Sequence, residues 1–352
     1  MTPATFRIPF ARITCDGNEL TYLREVLESG WLTTASKALA FEDRFGREVG
    51  AKHALSVNSC TSALHLALEA LGIQAGDQVF VPTLTFTATA EVIRYMQADP
   101  LVLDIEPGTG LLSPETLDAA AEQNPRARAV IVVHYAGQAA RMFATADRAG
   151  LVDVCRRRKL FLIEDAAHAF PARRDGRMVG AIGDITCFSF YANKTITSGE
   201  GGMITTENPE WASRMKIMRL HGIDRDVWAR FTTNKPSWEY DVVAPGFKYN
   251  LSDLQAAVGL AQLERAEELR RKRETLALRY LARLAGLKAV ELPTIEVDPR
   301  EHAWHLFPIV VRPGARCDRG ALIESLAARG IGTSVHYKPI HRLTYYRERY
   351  GL

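Results

Sequence analysis

The chain has 352 residues, of which 47% are hydrophobic and 24% are charged. These fractions are those of an ordinary globular protein, so disordered, collagen-like and low-complexity chains are excluded. Lys and Arg number 44 and Asp and Glu 41, and the resulting net charge of +3 gives no bulk attraction to nucleic acid or to an anionic membrane, so we expect neither as a partner.

Short apolar runs alternate with helical patterns from residue 54 to about residue 220. The pattern predicts strands at 54–57, 78–82, 101–104, 129–133 and 160–165. A helix with one apolar face follows the first strand, and Ser113 with Pro114 is typical of a helix start. Runs rich in Val, Ile and Leu that are separated by helices indicate a mostly parallel sheet covered on both faces.

Beyond residue 250 the pattern changes. Ser252 and Asp253 form a start signal for one long helix, which we expect to continue towards Leu281. Strands are predicted at 305–311 and 333–337, with a helix near 322–328 between them. We interpret the basic run 270–273 as a solvated helix face rather than a nucleic-acid site. We therefore expect a large domain over residues 1–250 and a small C-terminal domain over residues 251–352.

Several common kinds of site have no signal in this sequence. The five cysteines are scattered without a C-x-x-C pair, and the nine histidines form no H-x-x-x-H cluster, so we expect neither a disulfide framework nor a bound metal. No apolar run has the length of a membrane span, and the first residues lack the basic start and apolar stretch of a signal peptide. We therefore expect a cytoplasmic protein.

The segment 58–62 is the first of three that carry residues suited to chemistry. Its small polar residues open the helix after the first predicted strand, and the free N–H groups at a helix N-terminus suit a phosphate. By itself, however, the segment favours the alternative that Ser59 or Thr61 only caps the helix. The glycine-rich loops of nicotinamide and nucleoside triphosphate sites are absent from the sequence.

The second and third segments supply an acid and a lysine. Glu164 and Asp165 end the strand at 160–165, and ligands bind beyond the carboxyl ends of parallel strands, although either acid could be structural. Lys194 lies in an apolar, hydroxyl-rich stretch that leads into a turn with glycines at 199, 201 and 202. Burial lowers the pKa of an amine, which is what a lysine that forms a Schiff base requires. A plain hairpin explains the glycines but not a lysine in such surroundings.

Together the three segments match the parts of a pyridoxal phosphate (PLP) site. A lysine holds the aldehyde of this cofactor as an imine, a carboxylate keeps the pyridine nitrogen protonated, and a helix N-terminus takes the phosphate. The sequence therefore predicts PLP as the cofactor, with Lys194 and Asp165 as the catalytic pair.

These motifs resemble those of the DegT/DnrJ/EryC1/StrS family of PLP-dependent sugar aminotransferases. The resemblance runs from about residue 8 to the last residue. The matching segments, in chain order, are residues 29–34, 57–64, 81–89, 164–168, 188–195, 199–202, 246–255 and 335–341. So many ordered matches make a chance resemblance negligible.

The resemblance has consequences for architecture. The family has the aspartate-aminotransferase-like fold (PLP fold type I), which implies an α/β protein with a three-layer large domain, a mostly parallel sheet and a small C-terminal α+β domain. It also implies a homodimer in which both chains contribute to each active site. Members usually continue past the position of Leu352 through a further strand and helix, so a truncated small domain is a further expectation.

The resemblance also assigns cofactor roles residue by residue. Lys194 would be the Schiff-base lysine and proton shuttle, and Asp165 would pair with the pyridinium nitrogen. The other cofactor contacts would be His168 near the ring hydroxyl, Phe86 on the ring, Ser189, Cys60 and Thr61 at the phosphate, and Asn250 at the phosphate of the partner chain's cofactor. The family more often has Gly where Cys60 stands, which a contact through the backbone tolerates.

Substrate contacts follow from the same resemblance. The sugar-nucleotide pocket would be lined by Trp31, Thr33, His221, Arg225, Lys248, His336 and His341. Arg225 and Lys248 would supply the positive charge that suits a diphosphate. For each of these residues, a role on the surface or behind the site stays open.

The implied reaction is a transamination in which glutamate is the amino donor and a keto-sugar nucleotide is the acceptor. The segment 193–197 resembles the branch that acts on 4-keto-6-deoxy sugars, such as the perosamine synthases, so we expect amination at C4, with C3 as the alternative. Lys194 argues against the sugar dehydratases of this fold, which have histidine there, and Lys194 with Asp165 argues against a non-catalytic regulator. The sequence does not define the nucleotide or the pathway.

Overall fold

The computed structural model describes residues 7–224 and 240–352. Its α-helices are α1 (Glu19–Ser29), α2 (Ser36–Val49), α3 (Cys60–Ala70), α4 (Thr87–Tyr95), α5 (Pro114–Gln123), α6 (Leu151–Arg158), α7 (Pro209–Met218), α8 (Asp253–Leu263), α9 (Ala266–Leu284), α10 (Arg319–Ala328) and α11 (Thr344–Tyr350). Its strands are β1 (His53–Val57), β2 (Gln78–Pro82), β3 (Asp99–Leu103), β4 (Ala127–Val133), β5 (Phe161–Asp165), β6 (Arg173–Arg174), β7 (Arg177–Met178), β8 (Ile185–Ser189), β9 (Gly202–Thr206), β10 (Val290–Glu291) and β11 (Val310–Val311). Among the described helices, none is both long enough and apolar enough to cross a membrane.

A seven-stranded sheet forms the centre of the fold, in the order β1-β9-β8-β5-β4-β2-β3. From β8 to β3 all neighbouring strands are parallel, whereas β9 runs antiparallel to both β8 and β1. The sheet is therefore mostly parallel, which confirms the prediction made from the apolar runs.

Helices cover both faces of this sheet. Successive residues of a strand point to opposite faces, and since both sets are apolar here, each face needs a layer of helices to bury it. Ile131, Ile163 and Ile204 belong to the buried cluster that includes residues of α3 and α7. Val130 and Leu162, which alternate with the first two of these, pack with residues of α5 and α6. A third buried cluster joins α2 and α8 to β8 and β9.

The predicted elements of the first part of the chain are confirmed. The five predicted strands correspond to β1 to β5, with ends that differ by two residues or fewer. Ser113 accepts a hydrogen bond from the N–H of Thr116 (3.0 Å) and so caps α5, in which Pro114 is the first residue. Ser252 caps α8 in the same way, through the N–H of Gln255.

The single long helix expected after Ser252 is wrong. Two helices, α8 and α9, occupy this stretch, because Arg265 between them leaves helical geometry (φ −116°, ψ 9°). The basic run 270–273 lies in α9, and only Arg271 and Lys272 are exposed. Arg270 is buried and paired with Glu267 and Glu274, so the interpretation of the whole run as a solvated face is also wrong.

The two predicted C-terminal strands are wrong or much shorter than expected. Only β11 forms within 305–311, because Leu306 donates to the carbonyl of Ala136 in the turn after β4 (3.1 Å) and Pro308 has no N–H to pair. No strand forms within 333–337, where the chain packs against the end of the sheet instead. The helix predicted near 322–328 is confirmed as α10.

Candidate active site

The candidate site lies at the carboxyl edge of the parallel strands, where β5 and β8 end side by side. Strand β5 ends at Asp165. The chain leaves β8 at Ser189 and returns in β9 at Gly202, so residues 190–201 form the loop of an antiparallel hairpin. The glycine-rich segment is therefore a hairpin, and its loop carries Lys194 to the edge where Asp165 lies.

Asp165 is 5% exposed, and donors from several elements hold its carboxylate. The Thr89 hydroxyl donates to Oδ2 (2.8 Å), the Ala167 N–H donates to Oδ1 (3.1 Å), and the Cys60 thiol lies 3.9 Å from Oδ1. Burial raises the pKa of Asp165, and the bonds from Thr89 and Ala167 and the charge of Lys194 oppose that rise. A buried carboxylate of this kind is suited to pair with one more N–H or cation.

Glu164, the neighbouring acid, serves the fold rather than the site. It accepts from His134 Nε2 (2.9 Å), the Gly183 N–H (2.7 Å) and the Thr186 hydroxyl (2.7 Å). Although burial by itself raises its pKa, the hydrogen bonds from these partners hold the pKa of Glu164 below its usual range. With all its partners inside the protein, Glu164 ties β5 to β8 and to the turn after β4.

The start of α3 meets β9 at very close range. Ser59 caps α3 by accepting from the Ser62 N–H (3.1 Å), while the first N–H groups of a helix, here those of Cys60 and Thr61, have no partner within the helix. A Cβ at Gly202 would lie 2.7 Å from the Ser59 carbonyl group and 2.9 Å from the Cys60 nitrogen. Only glycine allows this close approach. Because Ser59 uses the Ser62 N–H, the N–H groups of Cys60 and Thr61 stay available for an anion, so the capping role and a phosphate site are compatible.

The side chain of Lys194 is half-buried at this edge. Burial lowers the pKa of Lys194 from 10.5 to about 8, the charge of Arg273 adds to this effect, and Cys60 and Asp165 oppose it. A lysine in this state is partly neutral near pH 7 and can act as a nucleophile or as a base.

Arg273 on α9 holds the loop that carries Lys194. Its guanidinium donates to the carbonyls of Asn193 and Lys194 (3.4 Å each) and of His305 (3.3 Å). Burial lowers the pKa of Arg273. The loop is therefore fixed to the C-terminal part of the chain through a cation close to Lys194.

A group of buried aromatic side chains lies next to Lys194. His168 receives the N–H of Ala136 at Nδ1 (3.3 Å), and its Nε2 lies 2.8 Å from the Tyr337 hydroxyl. The His305 ring lies 4.4 Å from the His168 ring, and its two ring nitrogens have no hydrogen-bond partner among the described residues. Burial, with the charge of Lys194, lowers the pKa of both histidines far enough to keep them neutral. His168 and His305 share one small pocket with Lys194 and Ser189.

Phe86 and His336 lie near this group, and His341 lies at the end of β2. Phe86, at the start of α4, is 56% exposed, and its ring centre lies 5.7 Å from that of Tyr337. His336 is half-buried, and burial together with the charge of Lys194 lowers its pKa. His341 is exposed, and its Nδ1 bonds to a threonine hydroxyl (2.6 Å) at the end of β2. Their ligand roles stay predictions.

Asn250 and Lys248 lie beside the end of β1, directly before the start of α3. Asn250 forms an isolated bridge with Val57, and its amide donates to the Thr34 hydroxyl (2.7 Å). The ammonium of Lys248 donates to the Asn250 amide oxygen. The proposed contact of Asn250 with the partner chain's cofactor stays a prediction.

The other predicted substrate residues lie on loops. Thr33 is exposed, and its carbonyl accepts the N–H of Asp253 (3.3 Å). Trp31 is half-buried, and His221 is exposed with a left-handed backbone (φ 60°). Arg225 lies outside the described residues. The structure thus brings Cys60, Asp165, His168 and Ser189 together around Lys194, whereas the roles of the three loop residues stay predictions.

Sequence reasoning missed four residues of the site: Thr89, Arg273, His305 and Tyr337. Thr89 and Tyr337 lie inside motifs that carried the family resemblance, and their contacts join parts of the chain far apart in sequence. Arg273 has buried apolar residues at i−4 and i+4, and this spacing could have shown that it faces the core. His305 follows no local pattern that predicts a polar site.

The residues at this edge fit PLP. The cofactor has an aldehyde, a ring nitrogen, a ring oxygen and a phosphate. The chain has a matching group for each part: the Lys194 amine for the aldehyde, the buried Asp165 carboxylate for the ring nitrogen, His168 with Tyr337 for the ring oxygen, and the start of α3 for the phosphate. The unpaired nitrogens of His305 are of the kind that a bound ligand completes. Fold and site together define a PLP-dependent enzyme of fold type I.

Comparison with known proteins narrows this class. The sequence model of the DegT/DnrJ/EryC1/StrS aminotransferase family matches residues 14–352. The spore coat polysaccharide biosynthesis protein SpsC of Bacillus subtilis is 42% identical, over 98% of this chain and 86% of SpsC. Spr1654 of Streptococcus pneumoniae in its PLP-form has a TM-score of 0.86 at 31% identity, over 97% of this chain and 88% of its own. Helicobacter pylori PseC, an aminotransferase involved in the biosynthesis of pseudoaminic acid, has a TM-score of 0.87 at 28% identity, over 98% of this chain and 88% of PseC.

The chain belongs to the DegT/DnrJ/EryC1/StrS aminotransferase family. It is a PLP-dependent sugar aminotransferase, so the enzyme class and the cofactor expected from the motifs are confirmed. The aspartate-aminotransferase-like α/β fold is confirmed as well.

Proposed function

We propose that this sugar aminotransferase converts a nucleotide-linked 4-keto-6-deoxyhexose into the 4-amino sugar, with glutamate as the amino donor. The observation that carries the reaction type is the half-buried amine of Lys194, with a pKa of about 8, at the strand ends where Asp165 is buried. An amine that is partly neutral near pH 7 can take up a proton and give it back, and amino-group transfer needs both steps.

PLP, when bound, supplies an aldehyde that joins to amines and a ring that draws electrons from the neighbouring carbon. Lys194 Nζ would hold this aldehyde and, once released from it, would accept the proton that the α-carbon of the donor loses and later give it back. A positioned base of this kind typically accelerates a reaction by about 10²–10⁴-fold. Asp165, whose charge is supported by Thr89 and the Ala167 N–H, would keep the ring nitrogen protonated.

The remaining side chains bind and orient. The N–H groups of Cys60 and Thr61, with the Ser189 hydroxyl, would hold the phosphate, because a helix start attracts an anion. Phe86 is an aromatic ring more than half exposed beside a buried site, and covering such a surface with a flat ligand is favourable. Both the stacking of Phe86 and the phosphate contacts are parts of this proposal.

The choice of substrate has separate support. The segment 193–197 around Lys194 resembles the branch that acts on 4-keto-6-deoxy sugars. Exposed Lys248, with Arg225, would supply charge for the diphosphate of a nucleotide. SpsC is named for polysaccharide biosynthesis and PseC for biosynthesis of pseudoaminic acid, so aminated sugars are a reasonable product class.

We further propose a homodimer in which Asn250 completes the partner chain's site. Half-buried Asn250 and exposed Lys248 lie at the end of β1, where Asn250 contacts Thr34. The amide of Asn250 also keeps hydrogen-bonding capacity, since its oxygen can accept a second donor. The site would then require the dimer for full phosphate and nucleotide binding.

The test has two stages. The visible spectrum of the protein with PLP is recorded before and after glutamate, with aspartate and alanine as rival donors and Lys194→Ala as the control variant. The glutamate-treated protein is then offered nucleotide-linked 4-keto and 3-keto 6-deoxyhexoses, and the aminated carbon is located by NMR.

Each outcome decides one part of the proposal. The whole proposal is supported if glutamate bleaches the band of the wild type, if Lys194→Ala shows no such bleaching, and if the product is aminated at C4. A product aminated at C3 overturns the choice of carbon, and bleaching only by another amino acid overturns the choice of donor. A Lys194→Ala variant that still transaminates at a near wild-type rate removes the role of Lys194.

A further inference from the structure

The hydrogen bonds of His168 define where its protons are. Nδ1 accepts the Ala136 N–H (3.3 Å), so the neutral ring carries its proton on Nε2. Nε2 lies 2.8 Å from the Tyr337 hydroxyl oxygen and therefore donates to it. Both nitrogens of His168 are then used inside the protein. The hydrogen of the Tyr337 hydroxyl is left to donate elsewhere.

The backbone around His168 holds this arrangement in place. Ala136 has φ 60°, a left-handed conformation that is costly for a residue with a Cβ and persists only where the surroundings fix it. At Gly137 (φ 104°), a Cβ would lie 2.9 Å from the Trp304 nitrogen and 3.1 Å from the His168 carbonyl oxygen. The turn that presents the Ala136 N–H is thus packed tightly against His168.

The phenol of Tyr337 lies within the site. Its ring is stacked on that of His168 at 5.9 Å between centres, and it lies 5.7 Å from the ring of Phe86. Burial raises the pKa of Tyr337, and Asp165 and Cys60 are near enough to add to the rise. The hydroxyl therefore keeps its hydrogen, and it lies at His168 within electrostatic reach of Asp165 and Cys60.

We propose that Tyr337 is a cofactor-binding residue whose hydroxyl donates a hydrogen bond to the ring oxygen of PLP, with His168 as a positioning residue behind it. The assignment rests on the proposed function, because it takes Lys194 and Asp165 as the residues that place the cofactor. It differs from the expectation that His168 itself contacts the ring hydroxyl, since His168 has no N–H left to give.

A purely structural role for Tyr337 makes a different prediction. In that case Tyr337 only fixes the segment 335–341 to the end of the sheet. Tyr135 provides a matched control, because its ring lies 6.2 Å from that of His168 and its hydroxyl donates to the backbone carbonyl of His336. Tyr135→Phe therefore loosens the same segment without removing a donor directed at the cofactor.

The experiment compares wild type, Tyr337→Phe and Tyr135→Phe without any substrate. The dissociation constant of PLP is measured by fluorescence quenching, and the visible band of the bound cofactor is titrated with pH. For Tyr337→Phe we expect roughly ten-fold weaker binding, the usual effect of one lost hydrogen bond. The band should titrate at a higher pH, because an oxygen that has lost a donor holds a neighbouring proton more tightly. Tyr135→Phe should leave both quantities near wild type.

The outcomes separate the two roles. Unchanged binding and an unmoved titration in Tyr337→Phe overturn the proposal, and equal losses in both variants reduce Tyr337 to an anchor of its segment. His168→Phe is measured alone and together with Tyr337→Phe. The loss of PLP affinity in the double variant should be smaller than the sum of the losses in the two single variants, because the two residues act as one unit. A wild type that binds PLP normally but aminates no sugar contradicts the proposed function and leaves this binding result untouched.

Discussion

The protonation of Lys194 gives the sharpest prediction, and the variable to change is pH. With a pKa of about 8 in place of 10.5, about one tenth of the Lys194 amines are neutral at pH 7, against about one in 3,000 for an ordinary lysine. Only the neutral amine attacks the PLP aldehyde. The rate of PLP capture should therefore rise about ten-fold between pH 7 and pH 9 and then level off.

Capture can be followed without any amino-group transfer. The PLP-free protein is mixed with PLP between pH 6 and pH 10, the product is reduced with borohydride at set times, and the labelled Lys194 peptide is quantified by mass spectrometry. The peptide that contains exposed Lys52 serves as the control in the same digest, because it shows how the labelling of an ordinary lysine changes with pH. A rate for Lys194 that climbs steadily to pH 10 without levelling refutes the reasoning.

Variants of Arg273 separate the two causes of the lowered pKa of Lys194, which are burial and the neighbouring positive charge. Its charge adds to the effect of burial on Lys194. In Arg273→Met the midpoint of the capture profile should move to higher pH, and in Arg273→Lys it should stay close to wild type. An unmoved midpoint in Arg273→Met assigns the whole effect to burial.

The same lowered pKa has a consequence for stability. Between pH 8 and pH 10.5 the unfolded chain keeps the Lys194 proton and the folded chain does not, so Lys194 makes the free energy of unfolding rise with pH in this window. Below about pH 8 both states are protonated, and the full cost of burying the ammonium remains. Without PLP, Lys194→Met should thus be favoured over wild type most at pH 7 and less at pH 10, as measured by urea unfolding. A difference independent of pH contradicts this.

Three further predictions concern other parts of the site. Gly202→Ala should lower PLP affinity and should lower the free energy of unfolding by about 1–3 kcal/mol, because the new Cβ lies 2.7 Å from the backbone before α3. An unchanged melting temperature contradicts this prediction. Thr89→Val removes the donor 2.8 Å from Asp165, and since a bond to a charged group contributes about 1.5–3 kcal/mol, kcat should fall about ten- to a hundred-fold, with Thr89→Ser near wild type. Mixing Lys194→Ala with Asn250→Asp chains should restore about a quarter of wild-type activity, because half of randomly formed dimers carry one intact site; no recovery contradicts a shared site.

The sequence predicted five of the seven strands of the described sheet, missing β8 and β9, and it predicted the C-terminal part poorly. Strands β1 to β5 were recognisable because each contains a short run of apolar residues, and such a run can be read from neighbouring residues alone. The segment 305–311 has a similar composition, yet its Leu306 bonds to the turn after β4. A contact between residues so far apart in the chain leaves no trace in the local pattern.

The site shows the same division. Lys194 and Asp165 were predicted because a lysine among apolar residues and an acid at a strand end are unusual in themselves. Tyr337 and Arg273 are ordinary residues in their own segments, and they join the site only through His168 and the loop at 190–201. Such roles arise from tertiary contacts, which periodicity does not encode.

Two neighbouring acids on β5 divide two kinds of work. Successive residues of a strand face opposite ways, so Glu164 is enclosed by His134, Gly183 and Thr186 while Asp165 faces the start of α3 and α4. Loss of Glu164 would lower the amount of folded protein in the cell, whereas under the proposed function loss of Asp165 would leave folded protein without turnover, so one strand of five residues carries both a stability role and a proposed chemical role.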